Sequence, residues 1–190
     1  MHKREIIVYG GAFNPPTIAH QTILEKCVEY AELHSYDICI LPSGNRTDKS
    51  INTPRETRLA YIEAMIYDTL EHDVRIQVLT SELDRTIDVE TYDTIVELEQ
   101  LHPDCNFTWV YGADSTQTMP QWKNGNWILE NTKILVVQRP GSEINPNAKH
   151  VNVLEIPNLD VSSTELRNRI QNGQPFEDLV SPSIYELLTK

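Results

Sequence analysis

A chain of 190 residues, 39% hydrophobic and 23% charged, has the length of one domain and an ordinary globular composition, which excludes disordered and collagen-like classes. A formal net charge of −12 excludes a general binder of nucleic acid or of anionic membrane, because such a surface repels phosphate. The longest aliphatic run, Ile134 to Val137, falls far short of the about 20 residues that cross a bilayer.

Ile6-Ile7-Val8 is too short for a signal-peptide core, so a cytoplasmic location is expected. A chain of this length buries a core without disulfide or metal. Cys27, Cys39 and Cys105 form no close pair and are expected as buried, reduced thiols.

Strand and helix signals alternate along the chain. Ile6 to Tyr9 reads as a buried strand ending in Gly10-Gly11, and Ala19 to about Leu33 as a helix with Ile23, Leu24, Cys27, Val28 and Ala31 at helical spacing. Tyr36 to Leu41 is the second strand, closed by the turn cluster Pro42-Ser43-Gly44-Asn45. Thr53-Pro54-Arg55-Glu56 predicts a capped helix start with Pro54 at the first helical position, running to about Leu70.

Val74 to Val78, Phe107 to Tyr111, Lys133 to Gln138 and Val151 to Ile156 are expected as the remaining strands. Thr91 to Leu101 is expected as the helix preceding the fourth. Ser162-Ser163-Thr164-Glu165 opens another helix, stopped by Gly173, and Ser181-Pro182 starts a last short one. No repeat or linker divides the chain. The order predicts a single α/β domain over 1–190, Rossmann-like in three layers, with a mostly parallel sheet and a small C-terminal helical part from about 162. Ligands of such sheets bind beyond the carboxyl ends of the strands.

Two segments at those ends carry chemistry. In Gly10-Gly11-Ala12-Phe13-Asn14-Pro15-Pro16-Thr17-Ile18-Ala19-His20, small residues let a phosphate approach the backbone. His20 and Thr17 lie one helical turn apart, so both can face one ligand. In Ser162-Ser163-Thr164-Glu165-Leu166-Arg167, Ser163 and the first-turn amides can cradle a phosphate, with Arg167 on the same face.

Together these two segments resemble the nucleotidyltransferase superfamily, and within it the nicotinate/nicotinamide mononucleotide adenylyltransferases. Leu41 to Lys49, Arg58-Leu59, Glu82-Leu83-Asp84-Arg85, Thr91-Tyr92-Asp93-Thr94, Gly112-Ala113-Asp114 with Trp122, and Arg139-Pro140-Gly141 are similar to family segments in the family's order. Thr17 and Ala19 depart from the usual His-x-Gly-His, and Arg46-Thr47-Asp48-Lys49 from the usual Pro-Pro-His-Lys.

The resemblance implies transfer of the adenylyl group of ATP to nicotinate mononucleotide, giving the deamido-NAD dinucleotide and pyrophosphate. It implies His20 and Thr17 as the catalytic pair. Gly11, Ala12, Phe13, His20, Gly112, Asp114, Ser163 and Arg167 are the expected ATP ligands. Lys49, Thr91, Trp122 and Arg139 are the expected acceptor ligands. Mg2+ is expected to arrive with ATP, and no protein metal site is expected. The partners are then ATP and a pyridine mononucleotide, without nucleic acid or membrane; homo-oligomer formation stays open. The alternatives are the same reaction on nicotinamide mononucleotide, or a non-catalytic nucleotide sensor on the same fold.

Overall fold

The computed structural model describes residues 3–44, 51–69, 73–85 and 90–190. Six parallel strands form one sheet in the order β3-β2-β1-β4-β5-β6. They are β1 (Arg4–Gly11), β2 (Asp37–Pro42), β3 (Ile76–Val78), β4 (Cys105–Gly112), β5 (Lys133–Gln138) and β6 (His150–Glu155). The chain starts in the middle, builds outward to β3, then returns past β1 to continue on the other side. Val8 therefore pairs with Cys39 on one side and Trp109 on the other, and the order reverses between β1 and β4, where such sheets open a crevice.

A sheet covered on both faces needs strands that are apolar throughout. In β1, Ile7 and Tyr9 enter one core with Leu24, Cys27 and Ala31 of α1 (Ile18–His34) and Ile62 and Met65 of α2 (Arg55–Tyr67). Ile6 and Val8 enter the other core, with Ile95 and Leu98 of α3 (Thr91–Leu101). Three layers result, as expected, and all three thiols are buried and unpaired. None of the described helices is long and apolar enough to cross a membrane.

Several boundaries differ from expectation. The second helix begins at Arg55, because the Pro54 carbonyl accepts from Arg58 N at 3.1 Å; Pro54 thereby takes the capping place expected for Thr53. Between β4 and β5 lie α4 (Ala113–Thr118) and α5 (Gly125–Asn131), which show no readable apolar period. Gly125 is required there, since a Cβ would stand 1.6 Å from the Met119 carbonyl oxygen.

At α6 (Ser163–Gln171), Ser162 Oγ accepts from Glu165 N at 3.1 Å. The Glu165 carboxylate accepts from Arg169 at 2.7 Å, rather than closing a capping box on Ser162. Leu166 of α6 and Ile184 of α7 (Pro182–Thr189) pack with Leu179 and Val180 against Tyr61 and Ala64 of α2. Ser183 N and Oγ donate to Asp68 at 2.8 and 2.6 Å, which closes the C-terminal helices onto that layer.

Candidate active site

The loop leaving β1 is held from within. Phe13 is fully buried with φ 45, and its ring meets Tyr9 and His20 edge-on at centroid distances of 5.3 and 5.5 Å. The ring lies against the backbone above it: a Cβ on Gly11 would stand 3.0 Å from Phe13.

Thr17, 2% exposed, precedes the first turn of α1. Its N–H donates to His20 Nδ1 at 3.1 Å, and its Oγ1 lies 2.9 Å from the same atom. A backbone amide can only donate, so Nδ1 accepts and the neutral imidazole carries its proton on Nε2. Thr17 was expected to form a catalytic pair with His20. Its burial and its bond to the ring make it the residue that aims His20 instead.

Two cavities lie beyond the carboxyl ends of the strands, one over each face. The first, about 250 Å³, is bounded by Gly11, Ala12, Glu82, Thr91, Trp109 and Trp122. The second, about 310 Å³, is bounded by Tyr9, His20, Gly112, Asp114 and Arg139. Gly10, Val110 and Tyr111 border both, so the two cavities share a wall where β1 and β4 run side by side. With no side chain on Gly10, groups bound on the two faces can come together across its backbone.

A model of the cytidylyltransferase-like family matches residues 8–169. An Oceanobacillus iheyensis protein named "Probable nicotinate-nucleotide adenylyltransferase" is 31% identical, over 96% of this chain and 93% of its own. The chain belongs to the nicotinate-nucleotide adenylyltransferase family. A Clostridium tetani protein of the same name is 28% identical, over 96% of this chain and 95% of its own. The fold is also that of "Plasmodium falciparum nicotinic acid mononucleotide adenylyltransferase complexed with NaAD". That structure has a TM-score of 0.83 at 22% identity, covering 98% of this chain and 95% of the other.

Against the family pattern, the expected residues divide between the two cavities. His20, Gly112 and Asp114 border the second, and Thr91 and Trp122 the first. Arg139, expected at the acceptor with Thr91, borders the His20 cavity instead. The reason is strand order: Arg139 follows β5, whereas the first cavity is built over β2, β1 and β4. The Ser142 hydroxyl fixes the turn after β5, donating to the Arg139 carbonyl at 2.8 Å. Gly11 and Ala12, expected on ATP, border the first cavity, and the Phe13 side chain lies in the core.

Ser163 and Arg167 line neither of these cavities. Ser163 Oγ donates to the Pro15 carbonyl at 2.8 Å and Arg167 Nη1 to the Asn14 carbonyl at 2.6 Å. They fasten the turn that leads into Thr17, whose carbonyls have no strand partner to accept from. Lys49 lies outside the described residues.

Sequence reading gave Arg58 only as part of a family segment, without a role. It is 3% exposed on α2 and donates to the Ala12 carbonyl at 3.0 and 2.8 Å and to the Ser43 carbonyl at 2.6 Å. Burial lowers its pKa from the usual guanidinium value, though guanidinium stays charged at any working pH. The signal was present: Arg58 shares a helical face with Ile62 and Met65, and a cation in an inward register must find carbonyls or a carboxylate. Glu82 was legible only as part of a family segment. It accepts from Thr94 Oγ1 at 2.7 Å, and Thr94 Oγ1 in turn accepts from Arg85 Nη1 at 3.0 Å.

Proposed function

We propose that the chain transfers the adenylyl group of ATP to nicotinate mononucleotide, forming the deamido-NAD dinucleotide and releasing pyrophosphate. The observation that carries this reading is the pair of cavities sharing Gly10 as a wall, with the imidazole of His20 held by Thr17 at the edge of one. ATP occupies the His20 side and the mononucleotide the Trp122 side.

An oxygen of the mononucleotide 5'-phosphate attacks the α-phosphorus of ATP. The bond from that phosphorus to the bridging oxygen breaks, and its electrons leave with pyrophosphate. The protein's work is alignment and charge stabilisation. His20, with its proton on Nε2, donates to phosphate oxygens as charge gathers on them. Arg139, on the same cavity, supplies positive charge near the leaving group, and Asp114 accepts from the ATP ribose. Ser163 and Arg167 act through the Asn14–Pro15 turn.

Trp122 presents a flat indole to the electron-poor pyridine ring. Thr91 is the first residue of the eleven-residue α3, whose opening amides favour an anion; this supports nicotinate over nicotinamide. Lys49 keeps the role its segment suggests, meeting the acceptor phosphate. Mg2+ enters as MgATP. Asp114 is the carboxylate bordering the ATP cavity, which suits an ion that stays mostly on phosphates and water.

Pyrophosphate release with ATP and Mg2+, nicotinate and nicotinamide mononucleotides being offered separately, tests the reading. Release with nicotinate mononucleotide, reduced about 100-fold or more in His20→Ala, is expected, the usual effect of removing a donor to developing charge. ATP binding with no release from either acceptor would favour the sensor.

A further inference from the structure

The inner wall of the first cavity holds two hydrogen-bond donors without partners. Trp109, 3% exposed, and Tyr111 lie on the same face of β4 and both border the cavity. The indole Nε1 and the phenol oxygen are both buried, and neither has a hydrogen-bond partner among the described residues. An indole N–H can only donate, and a buried donor left unmade is costly. Other orphaned hydroxyls, such as those of Thr108 and Ser181, border neither of the two cavities. Trp109 and Tyr111, by contrast, both border space that a ligand can fill.

The rest of the wall suits a flat ring with a polar substituent. The Tyr111 ring packs edge-on to Trp122 at a centroid distance of 6.0 Å. Burial and the Glu82 carboxylate both raise the phenol's pKa, so its proton stays in place. The negative charge of Glu82 is tied through Thr94 to Arg85, which limits its repulsion of an anionic substituent.

We infer that Trp109 Nε1–H and Tyr111 O–H are specificity determinants that donate to the oxygens of the pyridine substituent, and so read nicotinate more strongly than nicotinamide. The inference rests on the activity proposed above. A carboxylate gains more from two donors than an amide oxygen does, because hydrogen bonds to a full charge are roughly twice as strong. Stacking on Trp122 orients the ring but does not tell the two substituents apart.

Tyr111→Phe removes one oxygen and keeps the ring that packs on Trp122. The expected result is a fall of about tenfold in kcat/KM for nicotinate mononucleotide, within the range for a bond to a charged group. A smaller fall is expected for nicotinamide mononucleotide. Trp109→Phe is expected to shift the acceptor preference the same way. Parallel losses with both acceptors and ATP would mean a structural role and overturn the assignment, as would an unaltered preference. Calorimetric binding of nicotinate mononucleotide to the wild type separates the two levels. A chain that neither binds nor turns it over defeats the activity and this inference together; turnover with an unaltered preference in both variants defeats this inference alone.

Discussion

Thr17 acts through another side chain. Its amide and hydroxyl both meet His20 Nδ1, so the imidazole is fixed in tautomer and direction before any ligand arrives. Thr17→Val keeps the amide bond and removes the hydroxyl. One net hydrogen bond of about 1 kcal/mol corresponds to roughly fivefold, and a small misalignment adds to it. We expect kcat to fall about fivefold to tenfold with little change in the KM for ATP, and Thr17→Ser to restore it. Steady-state kinetics on the two variants checks this. A Thr17→Val enzyme with wild-type kcat would show that the amide alone aims the ring.

The loop between β1 and α1 is braced from two sides by other elements. From α2, Arg58 takes the carbonyls of Ala12 and Ser43; from α6, Arg167 and Ser163 take those of Asn14 and Pro15. Arg58 thus ties the ends of β1 and β2 at the rim of the first cavity, where the acceptor is proposed to bind. Arg58→Met keeps much of the volume but leaves both carbonyls unpaired, at about 1–3 kcal/mol each, partly offset because no charge is then buried. A loss of about 2 kcal/mol in urea unfolding is expected, together with a raised KM for the acceptor. Arg58→Lys should recover only part of this, since an ammonium lacks the planar fork that reaches two carbonyls. Unchanged stability and KM in Arg58→Met would refute the bracing role.

Which elements were legible follows from how local their causes are. The helix over Thr91–Leu101 and the strand over Lys133–Gln138 carry their period or their apolar run in their own residues, and Ser162 caps α6 as its spacing predicts. The short α4 and α5 do not, being placed by contacts such as Gly125 against the Met119 carbonyl. The side of Arg139 was illegible for another reason: motif order along the chain does not encode strand order across the sheet.

Placing the chain's start in the middle of the sheet has a consequence for the whole molecule. β1 pairs with both β2 and β4, so the two cores and both cavities share one central strand and should open together. The cysteines report on this, because Cys27 sits in one core and Cys39 and Cys105 in the other. Burial raises all three thiol pKa values, that of Cys39 from 9.0 to about 11. Since thiolate is the reactive form, none should react with an aromatic disulfide reagent at pH 8 in the native state, and all three should react at the unfolding rate in denaturant. The sign for stability follows from linkage. Below pH 9 the Cys39 thiol is protonated in both states and contributes nothing. Between pH 9 and about 11 the unfolded thiol ionises while the folded one does not, so stability should fall over that window. Thiol kinetics with urea midpoints at pH 8 and pH 10 measure both effects. A fast single-thiol phase in the native protein would contradict opening as one unit and point to Cys105, which lies in the first residue of β4 and is 8% exposed.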